Sequence, residues 1–486
     1  MKKLLFLSTF AFPLVALCNL GQCNVIVYQA PEGEVLNSKF KVTANGIDVP
    51  VYNAKIGMED KVMREKAMDQ RLESEKYFDL AGFASFDLKK GPVTIAVSVG
   101  EEVISAKILP TSFGIEPMIA GKSVSFEVDN PRHVTVEVNG DHIRSLHIFV
   151  NPEETDIPGP HAPDVIYFGP GIHEITSITV DDNKTVYIAG GAIVRGTTGA
   201  DEQWTPSRKY PGLRNYRGAS FILKGKNITF RGRGIFDQEL VRTHGREMVN
   251  ASVDGLKMEG VILRNSSLWT VHLRQCRNVH IDNIKILGHR ANSDGIDINA
   301  SFDLLVENCF LRTLDDLIVI KTGKGTGEAG RIRVRKCVLW NEVAHALSIG
   351  AEITRKIEDV VFEDCDVIHD HGRAWTLHIY HGDSGLVKNV RFENIRIEES
   401  VKFASLWINK VGYSTDLDRG HIEDVVFKDI TVNNSGRPLV KGIQLHGFDA
   451  DHAINNVLIE NVVINGKKVT KDDVVTNDYV YGVTCL

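Results

Sequence analysis

Beyond residue 150 the chain carries short apolar segments at regular intervals: Ile228-Thr-Phe, Leu256-Lys-Met, Val279-His-Ile, Leu304-Leu-Val, Ile332-Arg-Val, Val360-Val-Phe, Val390-Arg-Phe, Val425-Val-Phe and Val457-Leu-Ile. Their third positions are Phe230, Met258, Ile281, Val306, Val334, Phe362, Phe392, Phe427 and Ile459, spaced 23 to 35 residues apart. Several segments share a tail, as in Glu307-Asn-Cys, Arg335-Lys-Cys, Glu363-Asp-Cys and Glu393-Asn-Ile. One strand pattern per repeat at this period predicts a solenoid, whose stacked coils share a core that no single coil can close. Strands rather than helices make it a right-handed parallel β-helix, expected over residues 164–486. Cys309, Cys337 and Cys365 fall three residues after the aligned position, where other coils carry Ile284, Ile395, Ile430 and Val462. They are expected to be reduced core residues in one inward ladder; without a Cys-x-x-Cys spacing, a zinc site is not expected.

Ahead of the repeat the pattern changes to short alternating runs: Val25-Ile-Val-Tyr, Ser38-Lys-Phe-Lys-Val, Val93 to Val99, Val124-Ser-Phe-Glu-Val and Val134-Thr-Val-Glu-Val. Alternation broken by turn residues predicts a small β-sandwich over residues 24–150. The proline-rich stretch 151–163 reads as a linker. Residues 1–23 read as a secretory signal peptide, with Lys2 and Lys3 ahead of an apolar run from Leu4 to Leu17. Leu17 and Gln22 precede Cys18 and Cys23, where a lipid-anchor signal wants a small residue, so no anchor is expected. No other stretch is apolar enough to span a bilayer. The expected protein is therefore secreted or periplasmic, all-β and in two domains.

Composition narrows the function classes. Among 486 residues, 43% are apolar and 24% charged, which excludes a largely disordered chain. The net charge of −7 comes without a basic stripe, which argues against a nucleic-acid partner. Seven cysteines in this length are too few for a disulfide scaffold.

Two acidic clusters break the repeat. Asn292-Ser-Asp-Gly-Ile-Asp lies at one turn, and Thr313-Leu-Asp-Asp-Leu-Ile-Val-Ile-Lys-Thr-Gly follows one coil later. Asp294 and Asp315 are 21 residues apart, close to one coil, so the solenoid stacks them on one face with Asp316 alongside. Three converging aspartates repel one another, an arrangement that makes sense where one must hold a proton and another stay ionised. Glycoside hydrolysis needs such a pair: an acid for the leaving oxygen and a base for water.

These motifs resemble those of the polygalacturonases. The Asn292-Ser-Asp turn, the Asp315-Asp run through Lys321 and Gly323, and Ala344-His-Ala-Leu-Ser-Ile-Gly-Ala-Glu look like three consecutive family motifs. Asn265-Ser-Ser-Leu-Trp-Thr-Val-His-Leu and Val165-Ile-Tyr-Phe-Gly-Pro-Gly-Ile-His are similar in style, and the likeness covers roughly residues 150–470. Dextranases share this fold and carry a β-sandwich ahead of it. The resemblance implies an inverting glycosidase without metal or cofactor. Asp315 would protonate the leaving group, Asp294 and Asp316 would activate water across a wide carboxylate separation, and His345 would assist the acid. Asn292, Lys321, Trp375 and His378 are the expected substrate contacts; for Lys321, pairing with these carboxylates is the competing role. One departure bears on substrate. Where the family has an Arg-Ile-Lys triplet that grips a galacturonate carboxylate, this chain reads Thr376-Leu-His. A sugar without a carboxylate at the cleaved position is therefore expected, with Lys388 or Arg391 as the cations that could compensate. A polysaccharide lyase and a noncatalytic glycan-binding β-helix are the rival classes.

Overall fold

The computed structural model describes residues 24–69, 75–207, 211–434, 439–440 and 442–486; the expected signal peptide lies outside them. From Val165–Phe168 to Val480–Cys485 the strands, apart from a separate antiparallel pair Trp204–Pro206 and Arg214–Tyr216, form one continuous, almost wholly parallel sheet wound as a right-handed β-helix. The coil register matches the repeat: Phe230, Met258, Ile281, Val306, Val334, Phe362, Phe392, Phe427 and Ile459 pair successively from coil to coil. All nine are fully buried, and the Phe362, Phe392 and Phe427 rings stack at 5.1 and 5.2 Å.

The shared tail turns out to be a corner. Asn308, Lys336, Asp364, Asn394, Asp429 and Asn461 adopt positive φ there, a conformation that asparagine and aspartate tolerate best among side-chain-bearing residues. The corner amides bond to the preceding coil, as Asn394 does to Asp364 at 3.2 Å and Asn461 to Asp429 at 2.7 Å. The next residue then points inward. Cys309, Cys337 and Cys365 occupy this position, all fully buried and unbridged. Burial pushes the Cys337 thiol well above its ordinary range.

The preceding strands form two facing sheets. One runs Ile47–Val49, Phe40–Ala44, Val93–Val99, Ser123–Val128, Met118–Ala120; the other runs Val25–Val27, Asp79–Leu88, Asp141–Pro152, Arg132–Val138, Ala106–Leu109, with Val51–Ile56 on Asp79–Leu88. Phe40–Ala44 and Val93–Val99 alternate buried with more exposed positions, whereas Asp79–Leu88 is buried almost throughout. The second sheet has a core on each face. Phe86 and Ile148 pack into the sandwich, while Phe83 and Phe149 pack with Ile262, Phe310 and Trp340 of the β-helix. The stretch read as a linker begins inside this seam. Asn151 is fully buried and donates to Ser85 at 3.0 Å, and Glu154 accepts from the Tyr187 hydroxyl at 3.0 Å.

A nine-residue helix, Lys61–Asp69, interrupts the all-β expectation between Val51–Ile56 and Asp79–Leu88. Asp69 at its end makes a two-pronged pair with Arg373 of the β-helix at 2.7 and 3.0 Å.

Candidate active site

The strands Ile296–Asn299, Ile318–Thr322, Leu347–Ile353, Leu377–His381 and Ala404–Ile408 stack in register on one wall of the β-helix. Two residues ahead of the paired positions Ile296, Ile318, Leu347, Leu377 and Ala404 stand Asp294, Asp316, His345, Trp375 and Lys402. The turn that enters each strand thus delivers one polar or aromatic group to the same column. Asp294 is in register with Asp316, and Asp315 sits beside them rather than directly over Asp294.

Asp294, Asp315, Asp316 and His345 line a cleft of about 550 Å³, together with Trp269, Glu352, Tyr380 and Tyr413, and with Met68 from the helix of the N-terminal domain. Trp375, Lys402 and Trp407 line its adjoining extension. One oxygen from each of Asp294, Asp315 and Asp316 lies within 4.8 Å of the others. The trio could also ligate a divalent ion. A second such group, His369, His371 and Glu399, lies outside the cleft.

The three carboxylates have different surroundings. Asp294 makes no protein hydrogen bond through Oδ1, and burial plus the charges of Asp315 and Asp297 push its proton affinity well up. Asp315 accepts from the Asn292 amide and from the Asp316 backbone N–H, both at 3.0 Å. Asp316 accepts from His345 Nδ1 at 2.6 Å; burial opposes its ionisation, but His345 and Lys321 hold it below the ordinary carboxylate range. His345 therefore serves Asp316, not the expected acid Asp315. Asp297, one turn along, is pushed up to about 6 by burial despite Lys321.

Lys321 is the counter-charge for this cluster. Its Nζ lies 2.9 Å from Asp297, 3.6 Å from Asp294 and 4.5 Å from the centre of the Trp269 ring. It is buried, so of its two expected roles the structure displays the pairing one. Asn292 is similarly committed: its amide N–H donates to Asp315 and its oxygen accepts from His244 Nε2 at 2.9 Å. It orients a carboxylate from the cleft wall. His244 carries no sequence signal for this role.

The departure at Thr376-Leu-His has a physical basis. Thr376 is fully buried, with its hydroxyl bonded to Asp370 and, at 2.7 Å, to Ser400. His378 lines the cleft, stacks on His345 at 4.8 Å and donates from Nδ1 to the Ser405 carbonyl at 3.0 Å. Burial keeps its proton affinity well down, so the ring is neutral. Lys388 and Arg391 do not compensate: they lie on another wall, paired with Glu423 and Glu393. Besides Lys321, the cleft and its extension are lined by Arg373, paired with Asp69, and by Lys402, whose Nζ donates to the Arg373 carbonyl at 2.6 Å. Neither was singled out by sequence. Trp375 is half-buried beside Lys402 as expected for a cleft residue. Trp340, by contrast, is fully buried in the seam.

Comparison with known proteins bears on this geometry. The profile of glycosyl hydrolases family 28 matches residues 226–484. A probable polygalacturonase of Vitis vinifera is 23% identical over 270 residues, which are 50% of this chain and 52% of that protein. The chain spans about a third to a half of the length of such curated relatives. Among solved structures, the exopolygalacturonase of Thermotoga maritima aligns with TM-score 0.51 and 18% identity, over 66% of this chain and 82% of that one. The family 28 exopolygalacturonase of Yersinia enterocolitica aligns with TM-score 0.51 and 13% identity, over 82% and 97%. At these identities the two structures speak to the fold.

Proposed function

Because the chain belongs to glycosyl hydrolases family 28, we propose that it is an exported glycoside hydrolase that cleaves a pectin-type polysaccharide with inversion. The observation that carries the reading is the trio of carboxylates gathered in one cleft, with Lys321 and His345 placed to differentiate them.

In this mechanism Asp315 gives a proton to the glycosidic oxygen as the C–O bond breaks, and Asp294 with Asp316 aligns a water on the opposite face of the sugar. The water oxygen bonds to the anomeric carbon and its proton passes to one of the two carboxylates. His345 and Lys321 support an ionised Asp316, the state a base requires. A second reading has support of its own. Asp294 has the raised proton affinity, and both oxygens of Asp315 are already taken up as acceptors of N–H bonds. Asp294 would then be the donor.

The related proteins are named for action on polygalacturonate, but at Thr376 and His378 this chain presents uncharged side chains, and the Lys321 and Arg373 of the cleft are paired with Asp297 and Asp69. A charge-assisted contact contributes about 1.5–3 kcal/mol, so losing two reduces selectivity for galacturonate by orders of magnitude. The sugar at the cleaved bond is therefore one without a carboxylate, and Lys402 leaves room for an acidic group on a neighbouring residue. Initial rates on polygalacturonate, neutral polysaccharides and mixed acidic–neutral pectic chains test this. Highest activity on a chain with a neutral sugar at the cleaved bond is expected. Polygalacturonate as the best substrate overturns the specificity, and unsaturated products absorbing in the ultraviolet overturn hydrolysis in favour of a lyase.

A further inference from the structure

One outward column of the cleft wall continues beyond the carboxylates. Gly350 pairs with Tyr380, Tyr380 with Trp407, and Trp407 with His446, on four successive coils. The Tyr380 and Trp407 ring centres are 5.8 Å apart at an interplanar angle of 33°, and Trp407 and His446 are 6.1 Å apart at 52°. Trp407 is 38% exposed although its neighbours Leu406 and Ile408 are essentially inaccessible. Trp407 turns that open face to the extension of the cleft, beside Tyr380, Trp375 and Lys402, and an aromatic ring so placed offers a large flat contact surface.

The column begins with a glycine for steric reasons. A Cβ on Gly350 would lie 2.0 Å from the Tyr380 carbonyl oxygen, and its φ of 115° suits no other residue. No side chain therefore stands on the column at the coil of His345, and the aromatic rings start on the next one. Adjacent coils are separated by about 4.8 Å, the spacing of paired strands. The rings thus form steps along the coil axis, leading from the carboxylates towards the C-terminal end.

We infer that Tyr380, Trp407 and His446 form a stepped platform for the glycan chain, on which the apolar faces of successive sugar rings rest while the bond near Asp315 is cleaved. The inference rests on the glycoside-hydrolase reading and deepens it: the ligand is an extended chain of several pyranose units lying along the coil axis. The Tyr380 and Trp407 rings offer flat apolar faces, so the platform selects for chain length more than for hydroxyl configuration.

The test uses the full-length protein with Trp407→Ala and Trp407→Phe, and a size-graded series of oligosaccharides prepared from whichever polysaccharide the wild type cleaves best. For the alanine variant kcat/KM is expected to fall about tenfold on the polymer, chiefly through KM, with a loss that shrinks as the chain shortens. Phenylalanine, which keeps a flat face, is expected to restore most of the loss. No loss on the polymer, or an equal loss at every length, overturns the platform while leaving the hydrolase reading intact. If the wild type cleaves no glycan, the hydrolase reading fails, and retardation in gels cast with the same polysaccharides decides the platform. Retardation that Trp407→Ala abolishes supports it, and wild-type mobility unaffected by every polysaccharide overturns it.

Discussion

Two regions of this molecule bury charge, and they do so in opposite ways. In the seam between the sandwich and the β-helix three buried arginines have close counter-ions: Arg233 with Asp87 at 2.8 Å, Arg264 with Glu34 and Asp237 at 2.7 and 2.8 Å, and Arg312 with Glu342 at 2.8 Å; buried Lys285 bonds instead to the Asn151 amide oxygen and the Gly260 carbonyl. Although burial opposes it, Arg312 and His371 hold the Glu342 carboxyl down at about 2. In the cleft, Asp294, Asp297, Asp315 and Asp316 share Lys321 and His345 among them, and the proton affinities of Asp294 and Asp297 rise. Balanced charge fixes how the two domains sit. Excess charge of one sign stores the capacity to hold and move a proton, at a cost in stability.

The largest expected effect lies in the cleft. Asp315→Asn should lower turnover by about 10²–10⁴-fold with the fold intact, because an amide keeps the shape but cannot donate the proton. Asp294→Asn sharpens the assignment. With an activated aryl leaving group, which needs no proton, only the variant lacking the true acid should regain rate, and recovery in Asp294→Asn alone would move that role to Asp294. Next comes the seam. Arg312→Met, which strands the buried Glu342, should cost about 3–5 kcal/mol in denaturant unfolding, and the double change Arg312→Met with Glu342→Leu should recover most of it. A double variant as unstable as the single one would show that the pair is not the unit that matters.

The smallest effect is a change of sign between the regions. Asp294 binds its proton more tightly folded than unfolded, so its ionisation makes stability fall as pH rises from 3.8 towards its folded value. Asp294→Asn removes that fall and should raise Tm at pH 7 by about 2–4 °C, the shift that roughly 1 kcal/mol produces in a large domain, with the gain vanishing below 3.8. Glu342 binds its proton less tightly folded than unfolded. Its contribution is present above 4.5 and is lost as pH falls towards about 2, so Glu342→Gln should lower Tm at pH 7. Thermal melts at two pH values separate the two cases.

The parts legible from sequence were those with a period. The nine apolar positions from Phe230 to Ile459 and the cysteine ladder recur coil by coil, because each coil meets the same core. Alternation likewise exposed Phe40–Ala44 and Val93–Val99, each with one face out of the core. Asp79–Leu88 and Asp141–Pro152 gave no such signal because the β-helix covers their second face. The acidic cluster was legible as a break in the repeat, but which oxygen meets which donor was not. That His345 reaches Asp316, that Asn292 is occupied by His244, and that Lys402 and Trp407 enter the groove all depend on coil offsets that vary from 23 to 35 residues.

The central claim is that the crowded carboxylates divide into a proton donor and a pair that holds water on the opposite face. Proton NMR of the first product released, recorded before the free sugar equilibrates between its anomers, tests that division most directly. The account predicts the anomer opposite in configuration to the cleaved linkage. Product that keeps the substrate's configuration would contradict it, and would identify one member of the trio as a nucleophile that bonds to the sugar.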